Sequence, residues 1–383
     1  MSRAGDAADG QQLVWLAGTD FDALPGTDHR LVHAMRSLRQ VLWVDPPRHF
    51  RSLTALPGRV LVENTDPGFA RVSVTGPPFL TRPGVRVLTA GLAQRSARRA
   101  VRAGGPSRTA VVNAFPLATF PARMATSRVL YCTDDWLQGA PLMGLSRRHV
   151  GRVLRANLRS ATGVAAVSPE LIDRLRSFAA RFSVRLPPTL VLPNGASNAI
   201  PHRAAGERQP LACLVGQLNE RLDLSALEAV IDAGVPIRVI GPRTERDPTF
   251  ARRLSRFLAL PGVEYLGARA SQDLPRLTSD AAVGLTPYRV DDEFNRASSP
   301  LKTLEYLSWG LPVVSTDLPA ARWLGTEHLA IAQDAQDFAH QTKLVMGSRR
   351  DTGADQSRLE LARAHSWARR AEALSAFIEQ VRQ

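Results

Sequence analysis

The chain has 383 residues, 44% hydrophobic and 22% charged, with 49 Lys+Arg against 35 Asp+Glu for a net charge of +14. It is too long for one comfortable core, so two domains are expected, and its composition is that of a soluble globular protein. It has no apolar run long enough to span a bilayer, the polar stretch from Met1 to Gln12 lacks a signal-peptide core, and two cysteines make neither a disulfide frame nor a Cys-based zinc site. The expected location is cytoplasmic.

Short apolar segments alternate with helical ones, which predicts a parallel α/β architecture. In the first half the predicted strands are Leu13–Ala17, Val41–Asp45, Arg86–Thr89, Ala110–Ala114, Val129–Cys132, Gly163–Val167 and Thr189–Leu192. Helical periodicity marks His29–Arg39, Leu92–Ala103, Ser146–Ser160 and Pro169–Phe178. The segment Pro46–Pro83, rich in Pro, Gly and Arg, reads as loop. Pro193-Asn194-Gly195 is a turn signal, and 196–210 reads as a linker. Strands then follow at Leu211–Val215, Ile237–Ile240, Val263–Leu266, Ala281–Leu285, Leu311–Ser315 and Leu329–Ala332. Between them helices are predicted, among them Asp223–Ala233, Pro248–Leu258, Ser271–Thr278 and Asp334–Met346. A last helix, about His365 to Arg382, has no strand after it. The expected organisation is a Rossmann-like domain over 1–195, the linker, a second over 211–364 and a C-terminal helix over 365–383.

The charge is uneven. Residues 1–195 hold 26 Arg and 12 Asp+Glu, a net of +14; residues 196–383 are balanced at 23 and 23. Arg95, Arg98, Arg99 and Arg102 recur at helical spacing, and so do Arg148, Arg152, Arg155 and Arg159. Two readings are open: an anionic partner such as a membrane leaflet or a pyrophosphate-linked lipid, or a solvated face in an arginine-rich chain. Nucleic acid is not expected, because no recognition motif interleaves aromatic residues with the arginines.

The stretch from Asn295 to Pro319 is the most informative. Ser299 suits an N-cap and Pro300 the first helical position, Gly310 stops the helix, and Leu311–Ser315 reads as a buried strand. A helix N-terminus offers free N–H groups and positive dipole to phosphate. Lys302 in the first turn can add to that field. Glu305 follows on the same face, roughly 4.5 Å along the axis, where a carboxylate can accept from ribose hydroxyls. Lys302 and Lys343 are the only lysines among the 49 basic residues. Taken alone, the pair reads equally well as a weak surface ion pair. Neither a dinucleotide fingerprint nor a phosphate loop of the Gly-x-x-x-x-Gly-Lys type occurs after a predicted strand, which disfavours nicotinamide chemistry and phosphate-loop hydrolysis.

At these residues the chain resembles the two-domain group 1 (family 4, retaining) glycosyltransferases of the GT-B fold, bacterial teichuronic acid and surface-polysaccharide enzymes among them. The match is carried by Ser299-Pro300-Leu301-Lys302, Glu305-Tyr306-Leu307 and Gly310 to Val314. Pro193-Asn194-Gly195, Val215-Gly216-Gln217-Leu218 with Arg221 and Asp223, Leu266-Gly267, Leu285-Thr286-Pro287-Tyr288, Val41 to Pro47 and Tyr131 to Trp136 support it. The resemblance implies two doubly wound domains facing a cleft, with a C-terminal helix crossing back to the first. It also implies sugar transfer from a nucleotide-diphosphate sugar to a glycan, lipid-linked or small-molecule acceptor, in cell-surface polysaccharide synthesis. The implied donor site is Gly216, Arg221, Gly267, Pro287, Tyr288, Ser298, Ser299, Lys302 and Glu305. Ala297 stands where the family usually has a second acid, and Gln217 where arginine is common. Lys302 and Arg221 are then the expected phosphate cations, with no cofactor and no metal. Asp135, after a first-domain strand, is the candidate acceptor contact, with a capping Asp before Trp136 as its other reading; Asp20 is a second candidate. A nucleotide-sugar epimerase and a catalytically silent nucleotide-sugar binder stay open. The basic first domain points to the inner face of the membrane as a peripheral location.

Overall fold

The computed structural model describes residues 12–23, 25–49, 60–76, 82, 84–104, 109–121, 125–197, 208–299, 301–347 and 352–383. The chain divides into two compact units. The first runs to Pro193 and takes in Trp367–Gln383; the second spans Asn194–Ser366.

The first unit runs β1 (Gln12–Leu16), α1 (Thr27–Met35), β2 (Val41–Val44), β3 (Arg48–His49), β4 (Val60–Asp66), β5 (Phe69–Gly76), α2 (Val85–Gly104), β6 (Thr109–Asn113), β7 (Ser127–Cys132), α3 (Trp136–Gly139), α4 (Arg147–Ser160), β8 (Gly163–Ala166), α5 (Pro169–Arg181) and β9 (Thr189–Val191). Among the described residues the sheet order is β3-β5-β2-β1-β6-β7-β8-β9, with β4 antiparallel on β5. The central strand β1 pairs in parallel with β2 and β6, setting Leu13 beside Val41 and Ala110. Both its faces are covered, and for that reason Leu13-Val14-Trp15-Leu16 is a continuous apolar run rather than an alternating one.

Two expectations for this unit are corrected. Arg86–Thr89 is not a strand but part of the first two turns of α2. Thr89, Ala93, Ala97, Ala100 and Val101 form its buried face, so the helical period outweighs the local Val-Leu-Thr signal. Nor is Pro46–Pro83 simply loop. It contains β3 and the β4–β5 hairpin, turned at Pro67-Gly68 with Gly68 at φ +77°. The alternation of buried Val72 and Val74 with Ser73 and Thr75 is legible, but the Pro, Gly and Arg content masks it.

The terminal helix α14 (Trp367–Gln380) packs against α1 and β7 of this first unit. Ser127 Oγ donates to Ile378 O at 2.9 Å, and Arg39 Nε to Ser375 Oγ at 3.0 Å. Gly163 leaves the room that the Phe377 ring takes, since a Cβ there would lie 2.8 Å from it.

The second unit runs β10 (Ala212–Val215), α6 (Leu224–Asp232), β11 (Ile237–Ile240), α7 (Pro248–Leu258), β12 (Val263–Gly267), a 3-10 turn, α8 (Leu274–Leu277), β13 (Val283–Thr286), α9 (Glu293–Arg296), α10 (Leu301–Ser308), β14 (Val313–Thr316), α11 (Pro319–Leu324), β15 (Leu329–Ala332), α12 (Ala335–Gly347) and α13 (Thr352–Ala364). Its sheet is parallel in the order β12-β11-β10-β13-β14-β15. The chain winds one way from β10 to β12 and the other way from β13 to β15. The reversal lies between β10 and β13, where doubly wound sheets bind ligands at their carboxyl ends. Most of 196–210, the expected linker, lies outside the described residues. The helix α13 was not expected at all. It packs on α10, with Arg358 Nε donating to Gly310 O at 2.8 Å.

At the reversal point β10 and β13 pair only at Ala212–Val283 and Cys213–Gly284, then part. Tyr306 of α10 fills the split. Val215 N donates to its hydroxyl oxygen at 2.7 Å, and the hydroxyl donates to Cys213 O at 3.3 Å. Gly284 admits the ring, since a Cβ there would meet it at 2.4 Å. Tyr306→Phe leaves the buried Val215 N–H without an acceptor. It should cost about 1–3 kcal/mol, read as a lower urea midpoint with an unchanged slope.

Candidate functional site

The site of the second unit is built on that split. The loops after β10 and β11 touch through glycines: a Cβ on Gly241 (φ +154°) would lie 1.7 Å from Gly216 O. Gly216 has φ +142°, and a Cβ there would lie 3.5 Å from Lys302 Cε. The lysine stem thus lies against the glycine loop. Lys302 Nζ pairs with Glu305 Oε2 at 2.7 Å, and Glu305 is only 2% exposed. This is not the weak surface pair that spacing alone allowed. Removing one partner of so buried a pair would strand the other's charge away from water.

Arg221 lies in a second bracket of the same unit. Its Nε donates to Asn295 Oδ1 at 2.7 Å and its Nη2 to Ser298 Oγ at 3.3 Å. The guanidinium lies over Phe294 at 4.7 Å and Tyr288 at 5.3 Å from the ring centroids. Asn295 in turn donates from Nδ2 to Arg221 O and Arg289 O, both at 3.0 Å. Stacking and fork hydrogen bonds hold this side chain in one place, which a lysine could not reproduce. Tyr288 is fixed through its backbone: its N donates to Thr316 Oγ1 at 3.1 Å, and Thr316 Oγ1 donates to Tyr288 O at 2.6 Å. Pro287 O accepts from Asp223 N at 2.8 Å. Asn194 Nδ2 donates to Ser299 O at 2.6 Å. Pro300 lies outside the described residues. Gly267 has φ +70°, and its O accepts from Gly241 N at 2.9 Å. Ala297 is fully buried as the C-cap of α9.

So Gly216, Lys302 and Glu305 come together, as do Arg221, Tyr288 and Ser298. Asn295, Phe294, Thr316 and the Tyr306 hydroxyl were not anticipated. Only the turn-forming Asp292, which caps α9 through Phe294 N and Asn295 N, hinted that this segment is ordered.

Asp135 belongs to the first unit. It caps α3, with Oδ1 accepting from Leu137 N and Gln138 N at 3.1 Å each, while Oδ2 pairs with Arg174 at 2.9 Å. It lines a cavity of about 320 Å³ together with Trp136, Arg174, Phe178 and Arg181. Asp20, with Asp22, is taken up by arginines. Arg48 binds Asp20 and Asp22, and Arg71 grips Asp22 in a fork at 3.0 and 3.1 Å and Asp45 at 2.6 Å. Burial pushes Asp45 up to about 6. Among the described residues no group of three or more His, Cys, Asp or Glu is placed to hold a metal ion.

The first sheet reverses between β1 and β6. There Gly18 N donates to Asp28 Oδ2 at 2.8 Å, and burial pushes Asp28 up from 3.8 to about 7. Between those values the folded chain keeps a proton that the unfolded chain has lost. Stability therefore falls as pH rises through the window, at up to about 1.4 kcal/mol per pH unit, and levels off above it. Asp28→Asn should remove that slope, measured as the urea midpoint from pH 4 to 8.

Residues 209–347, all within the second unit, match the family model of the glycosyl transferases group 1. The putative teichuronic acid biosynthesis glycosyltransferase TuaH of Bacillus subtilis is 28% identical over 132 residues; the match spans 33% of this chain and about a third (32%) of that relative. Over nearly the whole chain the fold is that of sucrose-phosphate synthase from Thermosynechococcus elongatus (TM-score 0.71, 15% identity, 97% of this chain and 99% of the other). It is also that of the HepE protein of Anabaena in complex with UDP and glucose (TM-score 0.64, 14% identity, 97% and 99%). The fold is therefore GT-B, with two Rossmann-like units.

Proposed function

We propose that the protein is a glycosyltransferase that moves a sugar from a nucleoside-diphosphate sugar to a glycan, lipid-linked or small-molecule acceptor in cell-surface polysaccharide synthesis. The observation that carries it is the Lys302–Glu305 pair against the Gly216 loop, at the point where the second sheet reverses. Glycine backbone and the start of α10 let a diphosphate approach closely. Lys302 and the positioned Arg221 offset the charge that grows on the diphosphate as the sugar leaves. Glu305 accepts from the ribose hydroxyls. In a retaining course the departing phosphate takes the acceptor proton, so no protein base is required. Asp135, with Arg174, is the acceptor contact we assign in the first unit.

The family match supports this reading over the epimerase and the silent binder. The Anabaena HepE protein is in complex with UDP and glucose, which favours a uridine donor here. The first unit's charge favours a lipid-linked acceptor and work at the cytoplasmic membrane face. A thermal-shift panel of UDP-, GDP- and TDP-sugars tests the donor: at least one should raise the unfolding temperature. A chain indifferent to all of them would refute the proposal.

A further inference from the structure

The residues proposed for the donor site belong to the second unit, whereas the excess positive charge belongs to the first. Helices α2 and α4 hold ten arginines and no acidic residue. Arg95, Arg98, Arg99 and Arg102 of α2 are exposed, as are Arg148, Arg152 and Arg159 of α4. None of these seven has a carboxylate partner among the described residues. The two helices are neighbours on one face of the sheet, because both grip the segment after β6. Gln94 of α2 donates to Phe120 O at 3.4 Å. Asn157 of α4 donates to Ala118 O at 2.8 Å and accepts from Phe120 N at 3.1 Å. Each helix leads into a parallel strand, so both start at the carboxyl edge of the sheet.

At that edge each helix is headed by an exposed aliphatic pair. Val87 and Leu88, in the first turn of α2, are 72% and 59% exposed; Leu142 and Met143, just ahead of α4, are 38% and 41% exposed. Single exposed aliphatics are ordinary, and arginine stripes can simply be solvated. Paired aliphatics at the head of two adjacent, acid-free helices are the pattern of a surface that enters a lipid interface. No described helix is long and apolar enough to cross a membrane.

We propose that the α2–α4 face docks on an anionic bilayer, with the arginines on the lipid phosphates and the pairs Val87–Leu88 and Leu142–Met143 in the acyl boundary. Its purpose, bringing the enzyme to a lipid-linked acceptor, rests on the transferase reading; the docking itself does not.

The test is co-sedimentation of the full chain with phosphatidylcholine vesicles, with and without about one-third phosphatidylglycerol, at rising salt. Binding is expected only to the anionic vesicles, weakening as salt rises. Each arginine removed should lower partitioning about fivefold, so Arg148→Glu/Arg152→Glu/Arg159→Glu loses at least about a hundredfold. Leu142→Ser/Met143→Ser, which leaves the charge intact, should lose about tenfold or more by removing buried apolar surface. No sedimentation with anionic vesicles at low salt, equal binding to neutral ones, or indifference to either set of substitutions overturns the proposal. UDP binding, followed by calorimetry on the same proteins, should not change in either variant. Vesicle binding without any nucleotide binding would keep the docking face and remove the transferase reading.

Discussion

Replacement of Lys302 by alanine should cut turnover by about a hundred- to a thousandfold, the loss found when one donor to a developing anion is removed. The same change leaves Glu305 as an unpaired carboxylate in a site where it is 2% exposed. Breaking a buried pair costs about 3–5 kcal/mol, and the half-buried Lys302 places this one near 3. Stability and activity must therefore be separated. In Lys302→Ala/Glu305→Gln no charge is stranded, so the unfolding midpoint should recover while nucleotide affinity does not. Glu305→Gln alone should weaken nucleotide binding by about ten- to a hundredfold, the worth of hydrogen bonds to a charged acceptor. Calorimetry with UDP decides: unchanged affinity in all three variants means that the site lies elsewhere.

Gly241→Ala should be still more severe. The added Cβ would sit 1.7 Å from Gly216 O, a backbone atom that cannot swing away, at a φ of +154° that alanine rarely adopts. The loops after β10 and β11 would have to part, taking with them the surface that Lys302 lies on. A loss above about 4 kcal/mol is expected, enough to leave the second unit unfolded or unable to bind nucleotide. Gly267→Ala is the control. It has positive φ, +70°, but open space around the Cβ, and should cost only about 1–2 kcal/mol. Equal unfolding midpoints for the two variants would show that the Gly216–Gly241 contact does not hold the site.

Much of the fold is legible in the residues alone. Periodicity marks the second unit's strands to within two residues at their start and end, because parallel strands covered on both faces are continuous apolar runs. The Lys302–Glu305 pair is legible because i and i+3 share a helix face. Capping marks Asp135 as either a contact or a turn residue; in the structure its Oδ1 caps α3 and its Oδ2 pairs with Arg174, while the residue lines the cavity of the proposed acceptor contact. Elsewhere composition misleads: Pro and Gly hide the β4–β5 hairpin, and two β-branched residues make the start of α2 look like a strand.

The sequence by itself determined the order of the second unit's strands, the resemblance to the group 1 signature and the concentration of positive charge in the first half. These depend on spacing and residue type along a single chain. Tertiary structure alone decided that Glu305 is buried rather than exposed, and that Arg221 is stacked between Phe294 and Tyr288. It also decided that the Tyr306 hydroxyl bridges a split sheet. Each of these depends on burial or on contacts between residues dozens of positions apart, and local periodicity carries no information about either.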